Sequence, residues 1–343
     1  MGAAILEVEP PGHDLSEAPA TKGARLRMRG LQNGRAPEKL KTESRKENRE
    51  HAGWTALAGN TLIITAVITS PTLHSPMYFF ICNLSFGEII FTSNIIPNML
   101  GAVLTEDGTI SVEGCFTQIF LLGYITVTEC LLLTIMSYDR YLAICIPLQY
   151  YTIMDPKLCR NLSIGAWAGG LILSIASCSL IYILTFCGPY IVDHYFCDYL
   201  LILKLSCSDT TMVDLESKVL SVLVTLPSFI FICFTYFCII KTIIKIPSST
   251  SKQKAISTCS SHLLVVSIYY GSLIAIYVAP NQGHLYNMNK ILSLLYTIVT
   301  PISNPIIYSL RNQEIKNSFA KIIRWLCSND NIKVGKIKQS LSR

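Results

Sequence analysis

Charged side chains are scarce in this chain. They make up 15% of its 343 residues, whereas a soluble globular domain carries about 25%. Hydrophobic residues reach 51% and cluster in long runs. A helix that crosses the roughly 30 Å hydrocarbon core of a bilayer needs about 20 apolar residues. Six runs have this length, and a weaker one covers 52–69; the six are 77–104, 114–138, 161–184, 219–240, 255–279 and 291–310. The sequence therefore predicts an all-α membrane protein with a bundle of seven transmembrane helices.

The sequence also lacks the motifs of the common enzyme and metal sites. It has no HExxH, GxSxG or GxxxxGK[ST] string, no CxxC pair and no Cys/His spacing typical of zinc. The net charge of +6 is not arranged as a basic stripe interleaved with base-stacking aromatics, which argues against a nucleic-acid partner. We therefore expect no enzyme activity, no metal site and no cofactor.

Basic residues are distributed asymmetrically between the predicted loops. The outer loops hold three, at Lys204, Lys218 and Lys290, together with eight acids between Glu106 and Glu216. The predicted inner segments hold seven basic residues and then eight more from Arg311 onward; the seven are Arg140, Lys157, Arg160, Lys241, Lys245, Lys252 and Lys254. Because basic residues near membrane ends favour the cytoplasm, we expect the N-terminus outside and the C-terminus inside.

Residues 1–51 differ from the rest of the chain. Eighteen of them are charged and no apolar period is present, so we expect a disordered, atypical N-terminal segment ahead of a seven-helix domain at 52–310. Arg45, Lys46 and Arg49 lie on the predicted outer side, and only residues 52–59 precede Asn60 in the first helix. These features predict poor surface delivery. They leave open whether 1–51 is the native start or an aberrant one.

Residues 311–343 form the predicted cytoplasmic tail. Apolar residues repeat at helical spacing opposite basic ones, with Ile315, Phe319, Ile322, Ile323 and Leu326 on one face and Lys316, Lys321 and Arg324 on the other. This pattern predicts a short amphipathic helix that lies on the inner leaflet, with membrane lipid as its partner. Two interpretations of Cys327 remain open: a palmitoylated thiol and a free one.

The third apolar run ends in MSYDRYLAICIPLQY, at 136–150. Within it, Arg140 follows Asp139 and precedes Tyr141. An Arg at a helix end either pairs with a neighbouring acid, as a releasable latch, or extends to the membrane surface as a boundary residue. The tripeptide Asp139-Arg140-Tyr141 alone favours the interpretation of Arg140 as a boundary residue. The longer string 136–150 favours its interpretation as a releasable latch.

Further strings share the order and character of one known family. They are Gly59-Asn60, LHSPMYFFICNLSFGEI (73–89), Pro97-Asn98-Met99-Leu100, FCGPYIVDHYFCDYLLILKLSCSDT (186–210), KAISTCSSH (254–262) and NPIIYSLRN (304–312). From Gly59 to Phe319 the chain resembles odorant receptors of the tetrapod class, which are rhodopsin-like G-protein-coupled receptors. It departs from them at Ile256, where they usually have Phe, at Glu88, where most have Asp, and in lacking an N-terminal glycosylation sequon.

The resemblance implies a receptor of the plasma membrane. Its ligand would be a small, largely apolar, volatile odorant, and its partner a stimulatory (olfactory) G protein that raises cAMP. It also implies disulfides from Cys115 to Cys197 and from Cys187 to Cys207. Four outer cysteines by themselves permit three pairings.

Two carboxylates, Glu88 and Glu129, lie inside apolar runs. A charge at this depth is costly and indicates a functional site. Asn60, Ser93 and Asn304 are the candidates to complete a polar cluster with them. Two interpretations remain open: a sodium- or proton-sensitive switch, and a structural network with a protonated Glu.

A ligand cavity is predicted between helices 3, 5, 6 and 7, in their outer halves. The candidate lining residues are Leu122, Gly123, Thr126, Val127, Leu220, Ser221, Val224, Tyr270 and Tyr277; ordinary helix packing is the alternative for each of them. No Asp occurs in the outer half of helix 3, which argues against an amine ligand.

For the cytoplasmic switch, the resemblance implies that Tyr236 and Tyr308 move inward on activation to meet Arg140. His262 would hold the resting state, and Asn304 and Pro305 share the motif of Tyr308.

Three other classes of protein are alternatives to an odorant receptor. A transporter is disfavoured because the two halves of the chain show no internal repeat. A receptor for a peptide or an amine is disfavoured because it would need charged residues facing the outer cavity, and the sequence lacks them there. A non-functional product of a disrupted gene stays open.

Overall fold

The computed structural model describes residues 6–9, 25–28, 36–104, 108–187, 196–278, 296–308, 312, 314–322 and 324. It describes side chains from residue 51 onward, apart from 98–104, 108 and 275–278. The statements below concern these residues.

Eight longer helices follow one another along the chain. They are α1 (Ala36–Thr69), α2 (Pro76–Leu104), α3 (Val112–Cys145), α4 (Pro156–Tyr182), α5 (Thr211–Lys245), α6 (Ser249–Val278), α7 (296–308) and α8 (314–322). A 3-10 turn, Pro71–Leu73, and two short helices, Tyr150–Ile153 and Tyr199–Leu203, lie in the connections. The order is that of the predicted bundle, with α8 at the position of the predicted amphipathic helix.

Five segments are long and apolar enough to cross a membrane within the described part of the chain. They are His51–Thr69, Pro76–Pro97, Val112–Cys145, Pro156–Tyr182 and Thr211–Lys245. The helices α6 and α7 coincide with the other two predicted runs, 255–279 and 291–310.

Local sequence fixes where several helices begin. Ser111 precedes α3, and its hydroxyl accepts the Gly114 N–H at 3.0 Å. Asp155 does the same for α4, accepting from Leu158 N at 2.7 Å, with Pro156 at the first helical position. Asn312 accepts from Glu314 N at 3.0 Å at the start of α8. Each cap satisfies a backbone donor that lacks a partner within the helix.

The core is centred on α3, which packs against α2, α4 and α5. Ile125, Leu132 and Leu133 on α3 are fully buried. The outward face of α5, by contrast, exposes large apolar side chains such as Leu223, Phe234 and Phe237. A soluble protein rarely exposes such a continuous apolar surface, so this face is suited to contact with lipid tails.

The N-terminal segment differs from its predicted disorder. Helix α1 already begins at Ala36, and residues 38–50 contain no Gly or Pro and many Glu and Lys, which favour helix without needing a buried face. Strands β1 (Leu6–Glu9) and β2 (Arg25–Met28) form an antiparallel sheet with β3 (Gly108–Ser111). Composition did not reveal this pairing, because its partner strand lies about 80 residues further along the chain.

Candidate functional site

A buried ion pair lies at the inner end of α3. The Arg140 guanidinium donates two hydrogen bonds to Asp139 Oδ2, one of them from Nε at 2.9 Å. The Asp139 carboxylate is fully buried, and its other oxygen accepts a hydrogen bond from the Tyr150 hydroxyl at 2.8 Å. Burial, and next the Asp139 charge, raise the pKa of Tyr150, so its hydroxyl stays protonated and able to donate. Tyr141, the third residue of the motif, is half-buried against the core.

The other predicted switch residues surround this pair. The Tyr236 hydroxyl lies 2.7 Å from His262 Nδ1, and the two rings stack with centroids 5.8 Å apart. Tyr308 on α7 is buried, and its hydroxyl has no hydrogen-bond partner among the described residues. The Tyr236 side chain is therefore held by His262 on α6. The Tyr308 hydroxyl, near the inner end of the bundle, remains able to form a hydrogen bond.

The predicted polar cluster joins α1, α2 and α7. Asn304 Nδ2 donates to Glu88 Oε1 at 2.5 Å, and Asn60 Nδ2 donates to the Pro301 carbonyl at 3.1 Å. Glu129 on α3 is also buried. Ser93 is exposed and does not belong to the cluster, because its side chain leaves α2 on another face.

Several oxygens of this cluster have no hydrogen-bond partner within the described part of the chain. They are Glu88 Oε2, Glu129 Oε1, Asn60 Oδ1, Asn304 Oδ1, and the hydroxyls of Thr92 and Thr300. A buried polar atom without a partner costs free energy, so these oxygens are placed to accept a proton or to coordinate a small cation.

An aromatic cluster lies higher between α3, α6 and α7. The Tyr269 hydroxyl donates to the Thr126 carbonyl at 2.6 Å, and the Thr126 hydroxyl lies 3.1 Å from the Tyr296 hydroxyl. The Tyr270 hydroxyl lies 3.3 Å from Cys130 Sγ. Of the predicted ligand residues, Thr126 and Tyr270 thus belong to one aromatic cluster, because Thr126 bonds to Tyr269 and the rings of Tyr269 and Tyr270 lie 5.3 Å apart. Tyr269 and Tyr296 complete it and were missed, although Tyr269 immediately precedes Tyr270.

The remaining predicted ligand residues divide among several places. Leu122 and Val224 pack against the core, and Val127, Leu220 and Ser221 are half-buried. Gly123 departs from its prediction: a side chain there would lie 3.4 Å from Ser174 Oγ on α4. The close approach of α4 turns this position away from α6 and α7. The Tyr277 side chain lies outside the described residues.

Two disulfides hold the outer loop between α4 and α5. Cys115 is joined to Cys197 and Cys187 to Cys207. Gln118, one turn below Cys115, accepts from Cys197 N at 2.7 Å and donates to the Asn94 carbonyl at 3.0 Å. The neighbouring Asp198 carboxyl accepts from Leu200 N at 3.0 Å; burial raises its pKa, and the backbone N–H groups oppose that shift. Gln118 was missed, though a lone Gln in an apolar run three residues after Cys115 was a usable signal.

Replacing Gln118 with Leu is expected to destabilise the outer end of the bundle. It leaves the Cys197 N–H and the Asn94 carbonyl without their partner, at a cost of about 1–3 kcal/mol. The matched control is Thr117→Val, since Thr117 is exposed and bonds only to the Glu113 carbonyl. Thermal unfolding of the purified chains in detergent measures the difference. Equal midpoints for the two variants would contradict the role of Gln118.

A second missed contact ties α8 to α2. The Tyr78 hydroxyl donates to Glu314 Oε2 at 2.7 Å and accepts from Asn312 Nδ2 at 2.8 Å. Ile315 is fully buried, while Lys316, Lys321 and Arg324 are exposed, as an amphipathic helix requires. No local pattern indicated the tyrosine contact, because 236 residues separate its partners.

Comparison with known proteins decides the family. The family model described as olfactory receptor matches residues 54–327. The chain belongs to the olfactory receptor family. The receptor is 43% identical to human olfactory receptor 11A1 over 267 residues, which cover 78% of this chain and 84% of that relative. It is 45% identical to human olfactory receptor 6N1 over 266 residues, covering 78% and 85%.

The fold of the receptor is shared with squid rhodopsin. The crystal structure of that protein superposes with a TM-score of 0.68 at 16% identity, covering 86% of the receptor and 88% of rhodopsin. The seven-transmembrane-helix class predicted from the apolar runs is confirmed. The relatives are receptors, so the expectation that the chain is not an enzyme is confirmed as well. The receptor is a multi-pass membrane protein that binds a small molecule and a G protein.

Proposed function

We propose that this olfactory receptor binds small, largely apolar, volatile odorants and activates a stimulatory G protein that raises cAMP. The observation that carries the proposal is the pairing of an aromatic, sparsely polar cluster between α3, α6 and α7 with a closed Asp139–Arg140 latch at the other end of α3. Helix α3 thus contributes to both the aromatic cluster and the Asp139–Arg140 pair.

The aromatic cluster supports a small apolar ligand. Its hydroxyls bond mostly to each other and to backbone, as with Tyr269 and Thr126, so few polar groups remain for a ligand. Sites for small molecules in helical bundles are mostly apolar with a few placed polar groups. An odorant with one carbonyl or hydroxyl would form a hydrogen bond with Thr126 or Tyr296. Its hydrocarbon part would pack against the aromatic rings of the cluster.

The proposed orientation places the N-terminus outside and the C-terminus in the cytoplasm of the plasma-membrane receptor. Support comes from the basic residues that flank the latch end of the bundle, including Lys157, Lys241 and Lys245. The two disulfides lie at the opposite end, where an oxidising compartment would maintain them. A G protein would then meet Arg140 and the inner ends of α5 and α6.

The experiment is a cAMP assay in cells that express the epitope-tagged receptor, with live-cell staining to measure its surface level. A panel of apolar odorants is expected to give at least one saturable, dose-dependent cAMP rise that untransfected cells lack. A chain that reaches the surface and responds only to amines or peptides would contradict the ligand class. A response that lowers cAMP would contradict the stimulatory partner.

We also propose that the Glu88–Glu129 cluster is a sodium- or proton-sensitive switch and not only a structural network. The unpaired oxygens of Glu88, Glu129 and Asn304 support this role. With Glu129→Gln, the odorant concentration for half-maximal cAMP is expected to lose its dependence on sodium or pH. Thr117→Val, on an exposed face of the same helix and bonded to the Glu113 carbonyl, is the control. A switch is contradicted if the wild-type receptor shows neither dependence.

A further inference from the structure

The outer loop between α2 and α3 carries strand β3, and the N-terminal strands β1 and β2 add to it. The order in the sheet is β1-β2-β3, and both pairings are antiparallel. Ile110 of β3 is buried in the apolar cluster that also contains Cys115 and Cys197. Strand β3 therefore belongs to the disulfide-bonded outer end of the bundle, and the sheet attaches β1 and β2 to that end.

The register of the sheet collects apolar residues on one face. The apolar pairs between β1 and β2 are Leu6 with Met28 and Val8 with Leu26. Leu26 also lies opposite Ile110 of β3. Residues directly opposite one another share a face of a sheet, and so do alternate residues along a strand. The apolar positions of β1 and β2 therefore continue the face to which the buried Ile110 belongs.

The other face of the strand pair is charged, and its charges are opposite in sign across the pairing. Glu7 lies opposite Arg27, and Glu9 lies opposite Arg25. Opposite charges at such positions stabilise an antiparallel pair, and like charges destabilise it. A slip of one residue would place each acid opposite an apolar residue. The sequence thus specifies the observed register by charge as well as by hydrophobicity.

Basic residues in the first turns of α1 act against an outer location of the N-terminus. Arg45, Lys46 and Arg49 precede the apolar segment His51–Thr69 within the same helix. Because basic residues beside a span favour its cytoplasmic end, they would by themselves direct the start of α1 inward. Strands β1 and β2 can pair with β3 only when all three lie on the same side of the membrane. Their pairing therefore favours the opposite orientation of α1.

We propose that β1 and β2 form an intramolecular clasp, which binds the outer loop between α2 and α3 through β3 and holds the start of α1 on the outer side of the membrane. Strand addition supplies backbone hydrogen bonds, and the alternating residues supply the register. The clasp offsets the inward preference of Arg45, Lys46 and Arg49. The inference rests on the proposed orientation of the bundle, but on no statement about odorant or G protein.

One substitution makes the full-length chain a reporter of its own orientation. Arg35→Thr converts Asn33-Gly34-Arg35, between β2 and α1, into an acceptor site for an N-linked glycan. The glycan is added only in the secretory lumen, which corresponds to the outer side. The fraction of chains with a gel shift that endoglycosidase reverses is therefore the fraction with an outer N-terminus. Asn33→Gln in the same chain is the control that removes the shift.

Charge reversal separates strand pairing from the general effect of charge. In the reporter chain, Arg25→Glu/Arg27→Glu places like charges opposite Glu7 and Glu9. The ratio of glycosylated to unglycosylated chains is expected to fall by roughly fourfold or more. The preference of basic residues for the cytoplasm alone predicts the reverse, because the variant removes positive charge from the outer side. Adding Glu7→Arg/Glu9→Arg restores opposite charges and the net charge, and is expected to restore the ratio.

Disulfide trapping tests the register. Arg27 and Thr109 are register partners, and Thr109 is exposed. The Cα atoms of antiparallel partners lie about 4.5–5.5 Å apart, within the range of a disulfide. In a tagged chain with a protease site inserted after Gly34, Arg27→Cys/Thr109→Cys is expected to retain the cleaved N-terminal fragment until the disulfide is reduced. The control Arg27→Cys/Glu113→Cys, with its second cysteine at an exposed position in the first turn of α3, is expected to release it.

Several results would overturn the proposal. An unglycosylated reporter chain contradicts the orientation and the clasp together. A glycosylated reporter chain whose ratio is unchanged or raised by Arg25→Glu/Arg27→Glu contradicts the clasp and leaves the orientation standing. Equal retention of the N-terminal fragment by the two cysteine pairs, or release from both, shows that β2 is not held against β3 in this register. Neither assay contains an odorant or a G protein, so these outcomes are independent of the proposed signalling function.

Discussion

Arg140→Ala is expected to reduce the odorant-evoked cAMP response to background. In the structure the guanidinium is held by Asp139, whose carboxylate is also bonded to Tyr150. The proposed coupling requires this guanidinium to leave Asp139 and contact the G protein, and alanine carries no such group. The response is measured per receptor at the surface, with Lys157→Ala, in the first turn of α4, as a control that removes an exposed inner charge.

Loss of Arg140 alone also leaves the Asp139 carboxylate buried without its cation. Breaking a buried ion pair in this way costs about 3–5 kcal/mol, so a lower surface level is expected. The double variant Asp139→Asn/Arg140→Ala removes both charges and is expected to recover the surface level without recovering the response. Asp139→Asn alone frees Arg140 and is expected to raise cAMP without odorant. A double variant that is delivered and responds normally would show that Arg140 has no part in coupling.

Cys115→Ser or Cys197→Ser is expected to remove both odorant response and most surface expression. Their disulfide ties the outer loop to the start of α3 and closes 82 residues, whereas Cys187–Cys207 closes 20. Loss of a native disulfide costs about 2–5 kcal/mol in small secreted domains, and the chain-entropy account makes the longer loop roughly 1 kcal/mol more stabilising. Live-cell staining and the cAMP assay measure the two effects.

The control for this prediction is Cys178→Ser. Cys178 is a free thiol that packs against the buried cluster containing Cys115 and Cys197, so it reports the effect of a Cys-to-Ser change without loss of a disulfide. The single variants and the Cys115→Ser/Cys197→Ser pair are expected to behave alike, because either change breaks the same disulfide. Normal expression of Cys115→Ser would refute the role of this bond, and Cys207→Ser is expected to have the smaller effect.

The fold was predictable because bilayer thickness converts directly into a count of apolar residues. The runs at 114–138 and 161–184 correspond to α3 and α4, each slightly longer in the structure because their polar ends extend beyond the hydrocarbon. Composition was a poorer guide to residues 1–51. A charged, Glu- and Lys-rich stretch extends α1 back to Ala36.

The site was predictable where motifs are local and less so where contacts are distant. Asp139 and Arg140 are neighbours, so their pairing could be inferred from the sequence. The partner of Asp139, Tyr150, lies eleven residues on and reaches it only because a short helix at Tyr150–Ile153 follows the end of α3. Gly123 was assigned to the ligand cavity because helical spacing shows which face of α3 a residue lies on. The spacing does not show which helix packs against that face. That neighbour, α4, is fixed by packing across the whole bundle.

The central claim is most directly tested by nucleotide exchange on a purified G protein. The full-length chain, reconstituted in lipid nanodiscs, is combined with a stimulatory heterotrimer and a non-hydrolysable GTP analogue. An apolar odorant identified in the cell assay is expected to accelerate GTP-analogue uptake by the stimulatory heterotrimer. No acceleration is expected with Asp139→Asn/Arg140→Ala. Uptake that is unaffected by any such odorant, or equally fast in the double variant, would contradict the central claim.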